Sequence, residues 1–169
     1  KLLSFFDQFK AGIKILNIGR LTFQKNQIDL LRAVNILKNK IPIRLLIIGS
    51  GNKKNYLNNY INKKNLTKYV RIIPYQKNPY SYYKKTDIFV LTSIYEGLPN
   101  VLLEATLFKN FCISYRCKSG PKEILDNGKG GLLVETFNYK KIANEILKFY
   151  HANSMKKYKV MINTSFLNL

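Results

Sequence analysis

Short apolar runs, rich in β-branched residues, recur along the chain at residues 13–18, 44–48, 70–74, 88–92, 111–115 and 131–134. They are nearly continuous in apolar character rather than alternating, which is the pattern of parallel strands buried on both faces. Between the first two runs, Leu30, Val34 and Leu37 recur at helical spacing. Ile142, Ile146 and Phe149 repeat that spacing after the last run, and residues 99–108 fill the gap between the fourth and fifth. This alternation predicts an α/β fold, a doubly wound parallel sheet of about six strands with helices on both faces.

Such a sheet binds ligands outside the carboxyl ends of its strands. The loops expected there are Gly19 to Asn26, Gly49 to Asn52, Tyr75 to Lys77, Ser93 to Gly97 and Arg116 to Glu123. All leave a strand at the same end, so they should converge on one cleft. The segment Tyr95-Glu96-Gly97-Leu98-Pro99-Asn100-Val101-Leu102-Leu103-Glu104-Ala105 is the most informative of the chain. Its Gly-Leu-Pro turn opens a helix, and Pro99 suits the first helical position because its φ is already helical and its missing N–H would have no partner there. The amides that follow point outward at the positive end of the helix dipole, a seat for phosphate. Glu96 precedes that seat and Glu104 follows it. Among Val101, Leu102, Leu103 and Ala105, a carboxylate at 104 either faces solvent or is held by ligand hydroxyls at the cleft rim.

The first loop adds Arg20 and Lys25 behind Gly19, two cations that suit a diphosphate: a planar fork and a point charge. Gly49-Ser50-Gly51 begins like a dinucleotide-binding glycine loop but lacks the third glycine, so a tight strand-to-helix turn is the favoured reading, compatible with a ligand beside it. No Asp-x-Asp element occurs, because Asp7, Asp29, Asp87 and Asp126 stand far apart. A divalent metal held by paired carboxylates is therefore not expected. Cys112 lies in an apolar run and reads as a small core residue, consistent with a reducing compartment. Cys112 and Cys117 are too few for a zinc site, and His151, the single histidine, reads as a surface residue near a helix end.

Composition changes this picture little. The 169 residues are 46% hydrophobic and 13% aromatic, which is globular and enough for one domain. No stretch is apolar for the roughly 20 residues needed to cross a bilayer. The first residues lack the features of a signal peptide and an initiator Met, as a fragment would. The net charge of +20 is compatible with codon bias toward Lys, Asn, Ile and Tyr, with an anionic membrane surface, or with nucleic acid. The lysines are spread rather than clustered with stacking aromatics, so nucleic acid is not expected as a partner.

These landmarks resemble the C-terminal, donor-binding half of family 4 retaining glycosyltransferases, whose GT-B architecture sets two Rossmann-like domains face to face. In order they are Ile15-Leu16-Asn17-Ile18-Gly19-Arg20-Leu21 with Lys25, then Leu46-Ile47-Ile48-Gly49-Ser50-Gly51, then Thr86 to Ser93 leading into the Glu-x7-Glu element, then Ser119-Gly120-Pro121-Lys122-Glu123 before Gly128 and Gly131-Leu132-Leu133-Val134. The resemblance spans about residues 13–150. It implies that Arg20 and Lys25 hold the donor diphosphate and assist its departure, with Glu96 beside the donor sugar as the third catalytic candidate. It implies that Glu104 binds the ribose. Amides of Gly97, Leu98, Asn100 and Val101, with Pro99 between them, would face sugar and phosphate. Gly19, Gly49 and Gly51 would let backbone approach the donor, and Pro74 and Tyr75 would border the base, where the family usually has a glycine.

The partners so implied are a nucleotide-diphosphate sugar, with UDP favoured, and a saccharide or lipid-linked acceptor bound by an N-terminal domain. No cofactor or metal is implied. Residues 1–12 would end an interdomain linker, 13–152 form the donor domain and 153–169 a helical tail, in a protein of the cytoplasm or the inner face of the plasma membrane. Two other readings remain open: a non-catalytic nucleotide-binding module and a basic nucleic-acid-binding domain.

Overall fold

β-branched residues fit a pleated, doubly buried surface, and the apolar runs form strands wherever the sequence analysis expects them. The computed structural model describes residues 4–9 and 11–152. The helix expected around residues 155–166 lies outside the described residues. The strands are β1 (Ile13–Ile18), β2 (Ile43–Ile48), β3 (Val70–Ile73), β4 (Ile88–Leu91), β5 (Phe111–Tyr115) and β6 (Leu132–Val134). They form one six-stranded sheet in the order β3-β2-β1-β4-β5-β6, with every neighbouring pair parallel. That order is the doubly wound Rossmann-like arrangement.

Successive side chains of a strand point to opposite faces, so each strand feeds two cores. Ile13 and Ile15 of β1, with Ile43, Leu45 and Ile47 of β2, join one core under the helices α2 (Gln27–Leu37), α3 (Lys54–Lys63) and α7 (Tyr139–His151). Leu16, Ile18, Leu46 and Ile48 join the other. There they meet α1 (Ser4–Asp7), α4 (Tyr80–Lys84), α5 (Asn100–Leu107) and α6 (Pro121–Ile124). Each Leu or Ile fully buried in this way contributes roughly 1.5–3 kcal/mol before entropy is counted. A 3-10 turn, Asp126–Gly128, leads into β6.

The helices α2, α5 and α7 stand where the sequence places them. In α7, Ile142, Ile146 and Phe149 are buried, and Asn138 caps the start by accepting from the Lys141 amide at 3.0 Å. The periodicity misses α3, because only Leu57 and Ile61 of its ten residues are buried. It misses α1, α4 and α6 because one turn or little more carries no period. A correction falls on Pro99. It takes the N-cap position with an extended ψ of 96°, and the first helical residue is Asn100. The extended ψ of Pro99 starts the helix one residue later than a proline at the first helical position would.

Between β1 and β4 the strand order reverses. The two strands pair only at Ile15↔Ile88 and Leu16↔Phe89 and then part. Past that point the buried Asn17 side chain donates to the Val90 carbonyl at 2.8 Å, replacing a ladder bond. The β1 and β2 loops then lock together: Gly19 donates its amide to the Ile48 carbonyl at 3.0 Å and Leu21 to that of Ser50 at 2.9 Å. Gly49 is required for this approach, since a Cβ there would lie 1.9 Å from the Gly19 carbonyl oxygen.

Gly49→Ala should therefore push two backbones apart and destabilise the chain by about 1–3 kcal/mol. Thermal unfolding should show the midpoint falling by several degrees, with about 2–4 °C expected per kcal/mol in a domain of this size; an unchanged midpoint would contradict the close approach.

Candidate functional site

Three loops meet at the carboxyl end of the sheet, where β1 and β4 separate. The β1 loop turns back over β4. The Ile94 amide donates to the Gln24 carbonyl at 2.8 Å, the Gln24 side chain to the Tyr95 carbonyl at 3.0 Å, and the Thr92 hydroxyl to the Lys25 carbonyl at 3.0 Å. The β5 loop closes from the far side. The Ser119 hydroxyl donates to the Glu96 carbonyl at 3.0 Å and the Cys117 thiol to that of Ser93 at 3.2 Å. Gly120, with φ of 83°, passes so close to the Gly97 carbonyl that a Cβ would lie 1.8 Å from its oxygen.

This interlocking brings Lys25 and Glu96, 71 residues apart in sequence, into a direct ion pair between Nζ and Oε1. Their side chains are 13% and 8% exposed, so solvent screens the pair far less than a surface bridge. Arg20 stands exposed in the same loop and makes no ion pair among the described residues. The expected pair of free cations is thus corrected to one free guanidinium and one lysine already neutralised. Its physical cause is the turn of residues 22–26 over β4.

The start of α5 follows directly. Gly97, Leu98 and Asn100 are exposed while Pro99 is buried. The amides of Gly97, Leu98, Asn100 and Val101 have no acceptor among the described residues, whereas those of Leu102 and Leu103 reach the Pro99 carbonyl at 2.9 and 3.3 Å. Free amides at the positive end of a helix favour an anion. Glu104 lies on the next turn, half-buried, and accepts the Tyr83 hydroxyl at 2.9 Å through Oε2. It has no cationic partner among the described residues.

Gly49 and Gly51 are held against the Gly19 and Leu21 backbone, within the same loop cluster. Pro74 and Tyr75 are exposed at the end of β3 and bonded locally, through the Gln76 side chain to their carbonyls at 3.0 and 3.2 Å. Among the described residues, no hydrogen bond or ion pair joins those two to the other candidates. A separate cavity of about 290 Å³ opens between the starts of α2 and α3, with Thr22, Phe23, Gln27, Asp29, Tyr56 and Phe137 among its lining. None of the sequence candidates lines it. Its Asp29 carboxylate is already held by Asn26 at 2.8 Å, Arg32 at 2.9 Å and the Tyr115 hydroxyl at 2.9 Å.

The sequence reading missed Thr92, Cys117, Ser119 and Tyr83. Cys117 and Ser119 sit in a loop it named, so loop membership was the available signal for them, and Thr92 closes the apolar run just before another. Nothing local marks Tyr83. Cys112 is buried as expected, and no group of three or more His, Cys, Asp and Glu able to hold a metal occurs among the described residues.

A protein-family model described as Glycosyl transferases group 1 matches residues 5–166. An uncharacterized glycosyltransferase of Methanocaldococcus jannaschii is 44% identical over 118 residues, covering 69% of this chain and 29% of that protein. The N-acetylgalactosamine-N,N'-diacetylbacillosaminyl-diphospho-undecaprenol 4-alpha-N-acetylgalactosaminyltransferase of Campylobacter jejuni is 36% identical over 124 residues, 73% of this chain and 33% of that one. A mutant of S. aureus TarM, crystallised with fondaparinux, alpha-GlcNAc-glycerol and UDP, superposes with a TM-score of 0.79 at 25% identity, covering 91% of this chain and 30% of TarM. The chain spans about a third of the length of these relatives.

The Cys117 thiol reports on the site. Burial pushes its pKa up to about 11, the Glu96 charge adds to the rise, and Lys25 opposes it. Glu96→Gln removes a negative charge that disfavours thiolate and frees Lys25, so the Cys117 pKa should fall. An ultraviolet thiolate titration in a Cys112→Ala background measures it, and an unchanged or higher value would place Glu96 away from Cys117.

Proposed function

As the chain belongs to the Glycosyl transferases group 1 family, we propose that it forms the donor-binding part of a retaining glycosyltransferase using a nucleotide-diphosphate sugar, UDP being favoured. The observation that carries this reading is the mouth of α5, where amides without acceptors lie between Glu96 and Glu104, with Arg20 in the loop that crosses it. UDP in the TarM crystal supports the choice of nucleotide.

In this reading the donor diphosphate takes Arg20 through its guanidinium and draws Lys25 away from Glu96. The free amides of Gly97, Leu98, Asn100 and Val101 hold the remaining phosphate oxygens. Negative charge develops on the leaving diphosphate as the sugar–oxygen bond breaks, and fixed cations and amides stabilise it without reorganising. The sugar carbon becomes oxocarbenium-like and positive. Glu96, released by Lys25, then supplies a carboxylate beside it. The ribose hydroxyls donate to Glu104. Gly49 and Gly51 allow close approach of backbone, and Pro74 and Tyr75 border the base. The acceptor, a saccharide or a lipid-linked one as the Campylobacter enzyme's name describes, binds against residues beyond this chain's share of the family's length. The basic surface suits work at an anionic membrane, on its cytoplasmic side. No metal has a part in this scheme.

Calorimetry on the full chain should show UDP binding in the presence of a chelator. Arg20→Ala should weaken it by about tenfold to a hundredfold, the loss of one charge-assisted contact worth about 1.5–3 kcal/mol. Binding that needs added divalent metal, or that ignores Arg20, would refute the reading.

A further inference from the structure

We propose that Tyr83 is a positioning residue that fixes the carboxylate of Glu104 for recognition of the nucleotide ribose. The inference rests on the reading of Glu104 as the ribose ligand, and adds the residue that orients it. Tyr83 lies in α4, a helix of five residues on the other side of the α5 packing, and its side chain is fully buried. Its hydroxyl is 2.9 Å from Glu104 Oε2 and 3.0 Å from the Val101 carbonyl oxygen. A carboxylate is the stronger acceptor of the two, and one proton serves it best. Burial raises the phenol pKa far above its ordinary value, and the negative Glu104 raises it further. The hydroxyl therefore stays protonated, and a donor, at neutral pH.

The ring has little freedom to swing away. It stacks on Phe108 with centroids 5.5 Å apart and planes within 1°, and it meets Phe89 at 5.7 Å. The buried Asn110 side chain donates to the Tyr83 carbonyl at 2.9 Å and to that of Thr86 at 2.8 Å, while its own amide bonds back to Ala105 of α5 at 3.0 Å. The backbone of Tyr83 is thus tied to the helix that carries Glu104. A glutamate on a helix surface otherwise samples several rotamers, and ordering it on binding costs side-chain entropy. With Oε2 held by the phenol, Oε1 has no partner among the described residues and is left to accept from a ligand hydroxyl.

The test compares UDP with 2′-deoxy-UDP and 3′-deoxy-UDP, by calorimetry on the full chain and on Tyr83→Phe and Glu104→Ala. Tyr83→Phe keeps the stacked ring and removes the one donor. The wild type should prefer UDP over at least one deoxy analogue. Glu104→Ala should abolish that preference, and Tyr83→Phe should reduce it three- to tenfold while weakening UDP more than the analogue. Because the readout is a ratio of affinities, a small loss of folded protein does not move it. A preference untouched by Glu104→Ala would overturn the ribose reading of Glu104, and this inference with it. A preference lost in Glu104→Ala but kept in Tyr83→Phe would overturn the role of Tyr83 alone. Failure of Tyr83→Phe to fold would overturn it too, by assigning the hydroxyl to the packing of α4.

Discussion

Everything at the candidate site depends on the parting of β1 and β4. A parallel sheet that adds strands outward in both directions from its centre must have one place where consecutive crossovers diverge, and there the helices leave a crevice. Here the ladder between the two central strands stops after two pairs, and the side chain of Asn17 takes over the Val90 carbonyl. The gap so opened receives the loop that carries Arg20 and Lys25. Were the strands to stay paired to their ends, that loop would have no group of Thr92, Ile94 or Tyr95, just past β4, to lean on. Lys25 would then swing into solvent, away from Glu96.

The loops are therefore as much a part of the packing as the helices. Each is fixed by hydrogen bonds, from backbone or side chain, to a segment that follows another strand, and two glycines, Gly49 and Gly120, permit approaches that a side chain would block. Such a cluster is preorganised before any ligand arrives, which is where electrostatic stabilisation gains most. The core that α4 shares with α5 contributes as well. The Tyr83 phenol reaches across to the helix of Glu104, so one core also supports the site's second acid.

Much of this was legible along the chain, and the reasons differ by element. Doubly buried strands need uninterrupted apolar runs, and all six announced themselves. Long helices with a buried stripe, α2 and α7, show their period. The helix α3 does not, since Leu57 and Ile61, one turn apart, are its only buried residues and the Lys, Asn and Tyr around them hide the period, although Tyr60 packs against the core. The acidic pair and the cations were visible because each stands in a loop defined by a strand end. Their pairing was not. The bond between Lys25 and Glu96 spans 71 residues and exists only because the sheet reverses its order, a three-dimensional fact that no local spacing carries. The link from Tyr83 to Glu104 was hidden for the same reason. In the sequence Tyr83 is one tyrosine among twelve, in a turn too short to display a face.

The Lys25–Glu96 pair also changes how the chain's charge should be understood. A net charge of +20 suggests a molecule that attracts any polyanion, yet at this mouth one of the two cations is already spent on a carboxylate. In the proposed reading an incoming anion would exchange with Glu96 rather than simply add, so indiscriminate ions would gain little there and only a ligand that also reached Arg20 and the α5 amides would be repaid. The pair would then act as a filter, separating the diffuse electrostatics of the surface from the selectivity of the crevice. It also sets ionic strength to act unequally: dissolved salt weakens the solvent-facing guanidinium, while the enclosed lysine trades one oxygen for another with little change in its surroundings.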